Sequence, residues 1–222
     1  MKWSNLEGRR GLKLYAGDIP AAHPQFKTHI GLSLTQDNEN HIIHNIEHPF
    51  PLPNNSVEVY QSEDVFEHIN VKSIVPIIDE IYRVLEPEGL FRLSVPDYRC
   101  NILSDRSTWK DGKIIFDPGG GGSLTYDENR APKVINGGHL WFPVHEDIKS
   151  IVDQSKFGAS TRIAGSVVNY LHYYEATGSG LGVVNKIDYS LGYISRTPDH
   201  DFRVMMPRRP MSIVVDLYKG KE

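Results

Sequence analysis

Five short apolar runs, each closed by Gly, Pro, Asn or Asp, constrain this chain more than any other feature: LKLYA (12–16), HIGLSL (29–34), HIIHNI (41–46), VEVY (57–60) and LFRLSV (90–95). Their length and β-branched content read as strands. Between the fourth and fifth, Ile74, Ile77, Ile78, Ile81, Val84 and Leu85 recur at helical spacing, with Pro76 tolerable in the first turn and Pro87 after the end. That is an amphipathic helix with one face on a sheet. Strands alternating with connections long enough to cross over predict a mostly parallel sheet, an α/β layered fold with helices on both faces. Ligands in such folds sit beyond the carboxyl ends of the strands, which points to the exits at Gly17, Ser33, Asn45, Ser62 and Asp97.

From Tyr98 to Leu140 the periodicity fails, and four consecutive glycines stand at 119–122. This reads as a flexible Gly-rich insertion at 98–140, with a lid and tolerated slack as equal readings. After it, HEDIKSIVDQSKFG reads as a helix ended by Gly158, while STRIAG and MSIVVDLYK read as closing strands. The piece containing YLHYYEATGSGLG is left unassigned. The 222 residues, 39% of them hydrophobic, fit one domain spanning 1–222.

Charge narrows the function classes. A net charge of -4, with Lys and Arg scattered, gives no footprint for nucleic acid or an anionic membrane. The one basic cluster, Arg203, Arg208 and Arg209, reads as a solvated loop face or a grip on an acidic substrate. Cys100 is the single cysteine and has no internal disulfide partner, and no N-terminal run is as long and apolar as a signal or span. A cytoplasmic protein is the expectation.

His41, His44 and His48 invite a metal reading, but strand alternation sends His41 and His44 to opposite faces, so no metal is expected there. The glycines at 119–122 lack the Lys-Ser or Lys-Thr of a phosphate loop. Tyr170, Tyr173 and Tyr174, with His172, read as a sugar platform or, more commonly, as packing on a helix.

The runs PFPLPNNSVEVYQSEDVFEHI and IIDEIYRVLEPEGLFRLSVPD together resemble the class I S-adenosylmethionine-dependent methyltransferases, in particular the small single-domain, type 11-like group. The shared elements are the Pro-Leu-Pro turn at 51–53, Glu67 and His68, Glu80, the Arg-Val-Leu at 83–85, Pro87, Gly89 and the Val-Pro-Asp at 95–97. GGHLWFPVHEDIKSIVDQSKFG also resembles a later segment of that family. The resemblance implies a Rossmann-like sandwich and S-adenosylmethionine as cofactor. Donor contacts would come from Tyr15, Ala16 and Gly17 at the first strand, Ser33 at the second, Asn45 and Ile46 at the third and Ser62 at the fourth.

In this alignment Tyr15 stands at the first glycine of the family's Gly-x-Gly turn, and Ser33 at the acidic residue that binds the ribose. The aromatic ring either points away or fills the methionine pocket. If the donor binds, a hydroxyl acceptor needs a base, for which His68, Asp97 and His139 are the candidates. His68 reads equally as a packing residue, and His139 as a solvated loop histidine. Asp97 can orient His68, act as base or cap a turn, with Pro-Asp favouring the turn. Glu67 reads as structural. The implied function is methyl transfer to a hydroxyl of a small molecule or glycan precursor. The alternative is a non-catalytic scaffold with a degenerate donor pocket, and another nucleotide ligand is a third. Self-association and a partner enzyme are both compatible with either.

Overall fold

The computed structural model describes residues 1–19, 26–161, 165–188, 200–201 and 209–221. Its centre is an eight-stranded sheet. In chain order the strands are β1 (Leu12–Ala16), β2 (Ile30–Ser33), β3 (His41–Ile43), β4 (Val57–Glu63), β5 (Leu85–Pro96), β10 (Val167–Thr177), β11 (Gly180–Asn185) and β14 (Ser212–Tyr218). Across the sheet they run β11-β10-β14-β5-β4-β1-β2-β3. Strands β1 to β5 are mutually parallel, while β14 enters antiparallel to β5 and carries the antiparallel β10–β11 hairpin. The order reverses direction at β1 and β4, so the crevice between their exits is the topological switch point.

The helix comes out longer than its apolar spacing suggests. α1 (Val71–Val84) begins at Asn70, whose side chain accepts from the Lys72 amide. Pro76 therefore lies in the second turn, not the first. Ile74, Ile77, Ile78 and Ile81 face inward and are nearly inaccessible to solvent. They share one core with Leu14, Tyr60, Phe91, Leu93, Ile213 and Val215 from the sheet and with Ile148, Val152 and Phe157 from α3 (His145–Gln154) and α4 (Lys156–Ser160). The opposite side of the pleat is polar although buried. There Arg92 forms a bidentate pair with Asp216 at 2.7 and 2.6 Å, and Gln61 donates to Glu63.

The Glu80 and Arg83 of the family-like motif staple α1 to the turn before β4. Glu80 accepts the Phe50 amide at 2.7 Å, and Arg83 donates to Glu80 and to the carbonyls of Phe50 and Leu52. These residues build the fold.

Several sequence expectations need correction. β3 ends at Ile43, three residues before the run HIIHNI does. Ser62 is inside β4, and the true exit is Asp64, with φ 58°. The helix after the insertion breaks at Ser155 and resumes as α4 through Gly158. STRIAG falls at the end of α4 and on 162–164, which lie outside the described residues, and β10 starts only at Val167. Tyr170, His172, Tyr173 and Tyr174 belong to that strand and not to a helix. The expected α/β fold with a mostly parallel central sheet stands; among the described residues α1, α3 and α4 pack against one another beside the sheet, and β2 joins β3 through 34–40 without a helix.

The insertion is no irregular loop. It holds α2 (Asn101–Arg106), the hairpin β6 (Thr108–Lys110) with β7 (Lys113–Phe116), a one-turn helix at Pro118–Gly120, and the hairpin β8 (Ser123–Tyr126) with β9 (Pro132–Ile135). The remaining pair, β12 (His200–Asp201) with β13 (Arg209–Pro210), is two residues per strand. The side chains of the basic cluster at 203, 208 and 209 lie outside the described residues.

Candidate functional site

Two groups of polar residues gather beyond the strand exits. The first belongs to β1, β2 and β3. Gly17 follows β1 with φ 89°, and among the described residues a Cβ there would meet nothing nearer than Val65 Cγ2 at 3.8 Å. Two residues on, the Ile19 amide donates to His41 Nε2 at 3.0 Å, while His41 Nδ1 pairs with Asn38 Oδ1. The His41 ring crosses β2 so closely that a Cβ on Gly31 would fall 2.3 Å from it. Buried Ser33 accepts the amides of Thr35 and Gln36 on its Oγ at 3.1 and 2.8 Å, which leaves its O–H as a donor. Asn45 Oδ1 accepts the Glu47 amide, with Ile46 buried behind it. Asp37, downstream of Ser33, pairs with the amino group of Met1 at 2.7 Å.

Three residues expected at this rim are elsewhere. Tyr15 lies inside β1 and not at the turn. Its register partner is Gln61, its ring packs against Phe26 at 5.0 Å and its hydroxyl sits 3.4 Å from Glu63. The aromatic ring therefore belongs to the polar face of the sheet, and the first turn glycine is Gly17. Ala16 and Ser62 are register partners whose side chains face the apolar core. Ser62 Oγ has no hydrogen-bond partner among the described residues.

The second group stands at the exits of β4 and β5. A one-turn helix, Phe66–His68, follows β4, and the return of the insertion is zipped onto it. Leu140 N donates to Glu67 O at 2.8 Å and Trp141 Nε1 to Phe66 O at 2.9 Å. That zipper places His139 against His68, with ring centroids 4.7 Å apart, above the fully buried Glu67. Glu67 Oε1 is 3.7 Å from His139 Nε2 and 4.0 Å from His68 Nε2. Burial, reinforced by His68, lowers the His139 pKa to about 4, so its imidazole is neutral over the ordinary pH range.

Behind His139 runs a chain of partners that the sequence reading missed. Tyr98 OH lies 2.5 Å from His139 Nδ1 and donates to Asp117 Oδ2 at 2.7 Å, and Asp117 is held by Arg106 and by the Gly119 amide. Burial, with Asp117 second, pushes the Tyr98 hydroxyl far above its usual range, so it stays protonated. The glycine run belongs to this packing. A Cβ on Gly120 would sit 2.6 Å from the His139 ring, and one on Gly119 2.4 Å from the Arg106 guanidinium. Asp117 before Pro-Gly is the one legible signal, since it caps the turn it precedes.

Asp97 stands apart from this convergence. Its two oxygens accept the amides of Arg99 and Tyr174 at 3.0 and 2.7 Å, which is the turn-capping role. Burial raises its pKa to about 6 against those hydrogen bonds. Tyr173 stacks on His145 at 3.7 Å and Tyr170 meets the same ring edge-on, so these tyrosines pack β10 against α3. Beside the one-turn helix and the two hairpins lies a groove of about 1000 Å³ lined by Asn70, Tyr98, Trp109, Ile114, Trp141 and Phe142.

Comparison with known proteins fits this layout. Residues 9–93 match the methyltransferase domain family. That stretch runs from β1 into β5 and bears out the resemblance to class I methyltransferases, whose cofactor is S-adenosylmethionine. No curated protein matches the chain by sequence. Among solved structures the chain is similar to a methyltransferase from Archaeoglobus fulgidus, with 13% identity, 98% of this chain and 92% of that one covered, and a TM-score of 0.49. A methyltransferase from Mesorhizobium loti gives 10% identity, coverage of 97% and 94%, and 0.47. The Burkholderia thailandensis 1,6-didemethyltoxoflavin-N1-methyltransferase, solved with 1,6-didemethyltoxoflavin and S-adenosylhomocysteine, gives 12%, coverage of 98% and 74%, and 0.45. Likenesses of this size carry no information on substrate. No helix among the described residues is long and apolar enough to cross a membrane.

Proposed function

We propose that this chain transfers a methyl group from S-adenosylmethionine to a hydroxyl of a small molecule or sugar precursor. The residues at the first three strand exits suit the donor in position, though with weaker groups than a carboxylate. The Gly17 turn is uncrowded among the described residues, Ser33 retains one O–H, and Asn45 with Ile46 borders the third exit. When bound there, the donor supplies a methyl on a sulfonium, and the protein's task is alignment and exclusion of water.

One observation carries the hydroxyl assignment. His68 Nδ1 lies 2.6 Å from Gly137 O, which can only accept, so the neutral ring carries its lone pair on Nε2, beside His139 and Glu67. With the donor bound, His68 Nε2 would take the proton of a hydroxyl held there while the methyl carbon passes from sulfur to that oxygen, leaving S-adenosylhomocysteine. The groove beside Tyr98, with Trp109 and Phe142 in its walls, offers flat apolar surface for a ring-shaped acceptor. Incubation with labelled donor and a panel of sugars and phenols tests this reading. The expected product is an O-methyl ether whose formation depends on His68, and a product methylated on nitrogen or sulfur contradicts it. A cytoplasmic location belongs to the same reading.

A specific observation supports a second reading. The Ile19 amide, the Ser33 oxygen and the Asp37 carboxylate already have partners within the chain. A binding or scaffold protein that has lost its donor would have the same arrangement. Titration with S-adenosylhomocysteine separates the two.

A further inference from the structure

We propose that Glu67, His68 and His139 form a binding site for a divalent transition-metal ion, zinc being the best fit to the donor set. One ligand atom from each residue lies within 4.8 Å of the other two. Hydrogen bonding decides which ring nitrogens face inward. His68 gives its Nδ1 proton to Gly137 O, so its Nε2 is bare. The Tyr98 proton goes to Asp117, so the Tyr98 oxygen accepts from His139 Nδ1–H, which bares Nε2 of that ring as well. Both bare nitrogens therefore look toward the same Glu67 oxygen, at 4.0 and 3.7 Å. Three electron-rich atoms turned toward one another are the arrangement a cation organises.

A tetrahedral ion with bonds of about 2.1 Å holds its donors about 3.4 Å apart, so the two carboxylate–imidazole pairs, at 3.7 and 4.0 Å, would close by several tenths of an ångström and the two histidines, whose ligand atoms lie within 4.8 Å, by less than about one and a half ångströms. Two imidazoles with one carboxylate suit zinc and its first-row neighbours and disfavour magnesium and calcium, which take all-oxygen sites.

The outer ring of contacts is already in place. Each histidine has its far nitrogen fixed by an acceptor, and the Arg106–Asp117–Tyr98 chain holds the His139 ring over the bare backbone of Gly120. His68 is one-third exposed, which leaves a coordination position for water or a substrate oxygen. The site stands on these residues alone and does not depend on methyl transfer. An ion held there would occupy His68 Nε2 and so remove it as a base, and would instead make a hydroxyl bound to it more acidic.

Chelator-stripped protein titrated with Zn²⁺ by calorimetry tests the proposal, with Co²⁺ visible absorption reporting the geometry. The expected result is one equivalent bound with micromolar or tighter affinity and a raised melting temperature. His68→Ala and His139→Ala should each weaken binding by about 100-fold or more, and Tyr98→Phe by about 10- to 100-fold. His44→Ala, far from the cluster, should leave it unchanged. Because Glu67 is fully buried, Glu67→Gln is read only if its circular dichroism matches the parent, and His68, one-third exposed, supplies the variant that keeps the test open. Failure to bind one equivalent, or binding that survives the His68→Ala, His139→Ala double variant, overturns the proposal. Neither result bears on S-adenosylhomocysteine binding, which is measured on the same protein separately.

Discussion

The exits of β1, β2 and β3 and the exits of β4 and β5 lie on one rim of one sheet, yet they direct their polar groups oppositely. At the first three, the polar atoms turn back onto the chain: His41 holds the Ile19 amide, Ser33 caps 35–36 and Asn45 caps Glu47. At the other two, Glu67, His68 and His139 point inward at a common space, while their far sides are held from behind by Gly137, Tyr98 and Asp117. The first region is shaped to cradle something through backbone and shape. The second is shaped to exchange a proton or bind a cation. The difference teaches that binding and chemistry are separable here, and that each can be broken without the other.

The largest expected effect is on the chemical side. His68→Ala should reduce turnover by about 10²- to 10⁴-fold, the usual contribution of a general base, with S-adenosylhomocysteine affinity unchanged within about threefold. Parallel loss of both in steady-state kinetics and calorimetry would merge the two regions into one pocket.

Asp97 sharpens the boundary of the convergent group. Its folded pKa, about 6, exceeds the usual carboxylate value, so the neutral form is favoured in the fold. The associated stability is fully present below the unfolded pKa and is lost as pH rises through about 6. Denaturant melts of wild type and Asp97→Asn at pH 4 and 7 should thus diverge by about 2–3 kcal/mol, with the wild type losing more, at roughly 1.4 kcal/mol per unit. Parallel pH profiles would place the charge of Asp97 in a solvated setting.

Gly31→Ala tests the first region. The new methyl must displace His41 and release the Ile19 amide, at a cost of about 1–3 kcal/mol and a melting point lower by roughly 2–4 °C per kcal/mol. An unchanged melting curve would mean that His41 moves freely. The smallest effect belongs to Ser33→Ala. It should weaken S-adenosylhomocysteine by about 1 kcal/mol or less, since the hydroxyl has one neutral hydrogen bond to give. A hundredfold loss would give Ser33 the role of the family's carboxylate.

Much of the fold was legible because periodicity is local. The isoleucines of α1 and the runs that became β1 to β5 follow from spacing within a dozen residues, and the parallel sheet follows from their order. The site was legible only in part. His68 and His139 are 71 positions apart, and nothing in the spacing says that Leu140 pairs with Glu67. Glu67 read as structural because its neighbour on an ideal helix points elsewhere, whereas Phe66–His68 is a single tight turn. The glycines at 119–122 read as slack, since composition cannot distinguish a mobile loop from one that must clear a ring and a guanidinium. Tyr15 was misplaced by one motif's alignment, and its partner in the sheet, not its neighbours in sequence, decides where the ring goes.

The most direct test is calorimetric titration of S-adenosylhomocysteine into wild type, Gly17→Val and His68→Ala. Saturable binding is expected in wild type and His68→Ala, with loss in Gly17→Val, because a β-branched side chain at a φ of 89° closes the turn. No heat in wild type at millimolar ligand would contradict the account, and the scaffold reading would take its place.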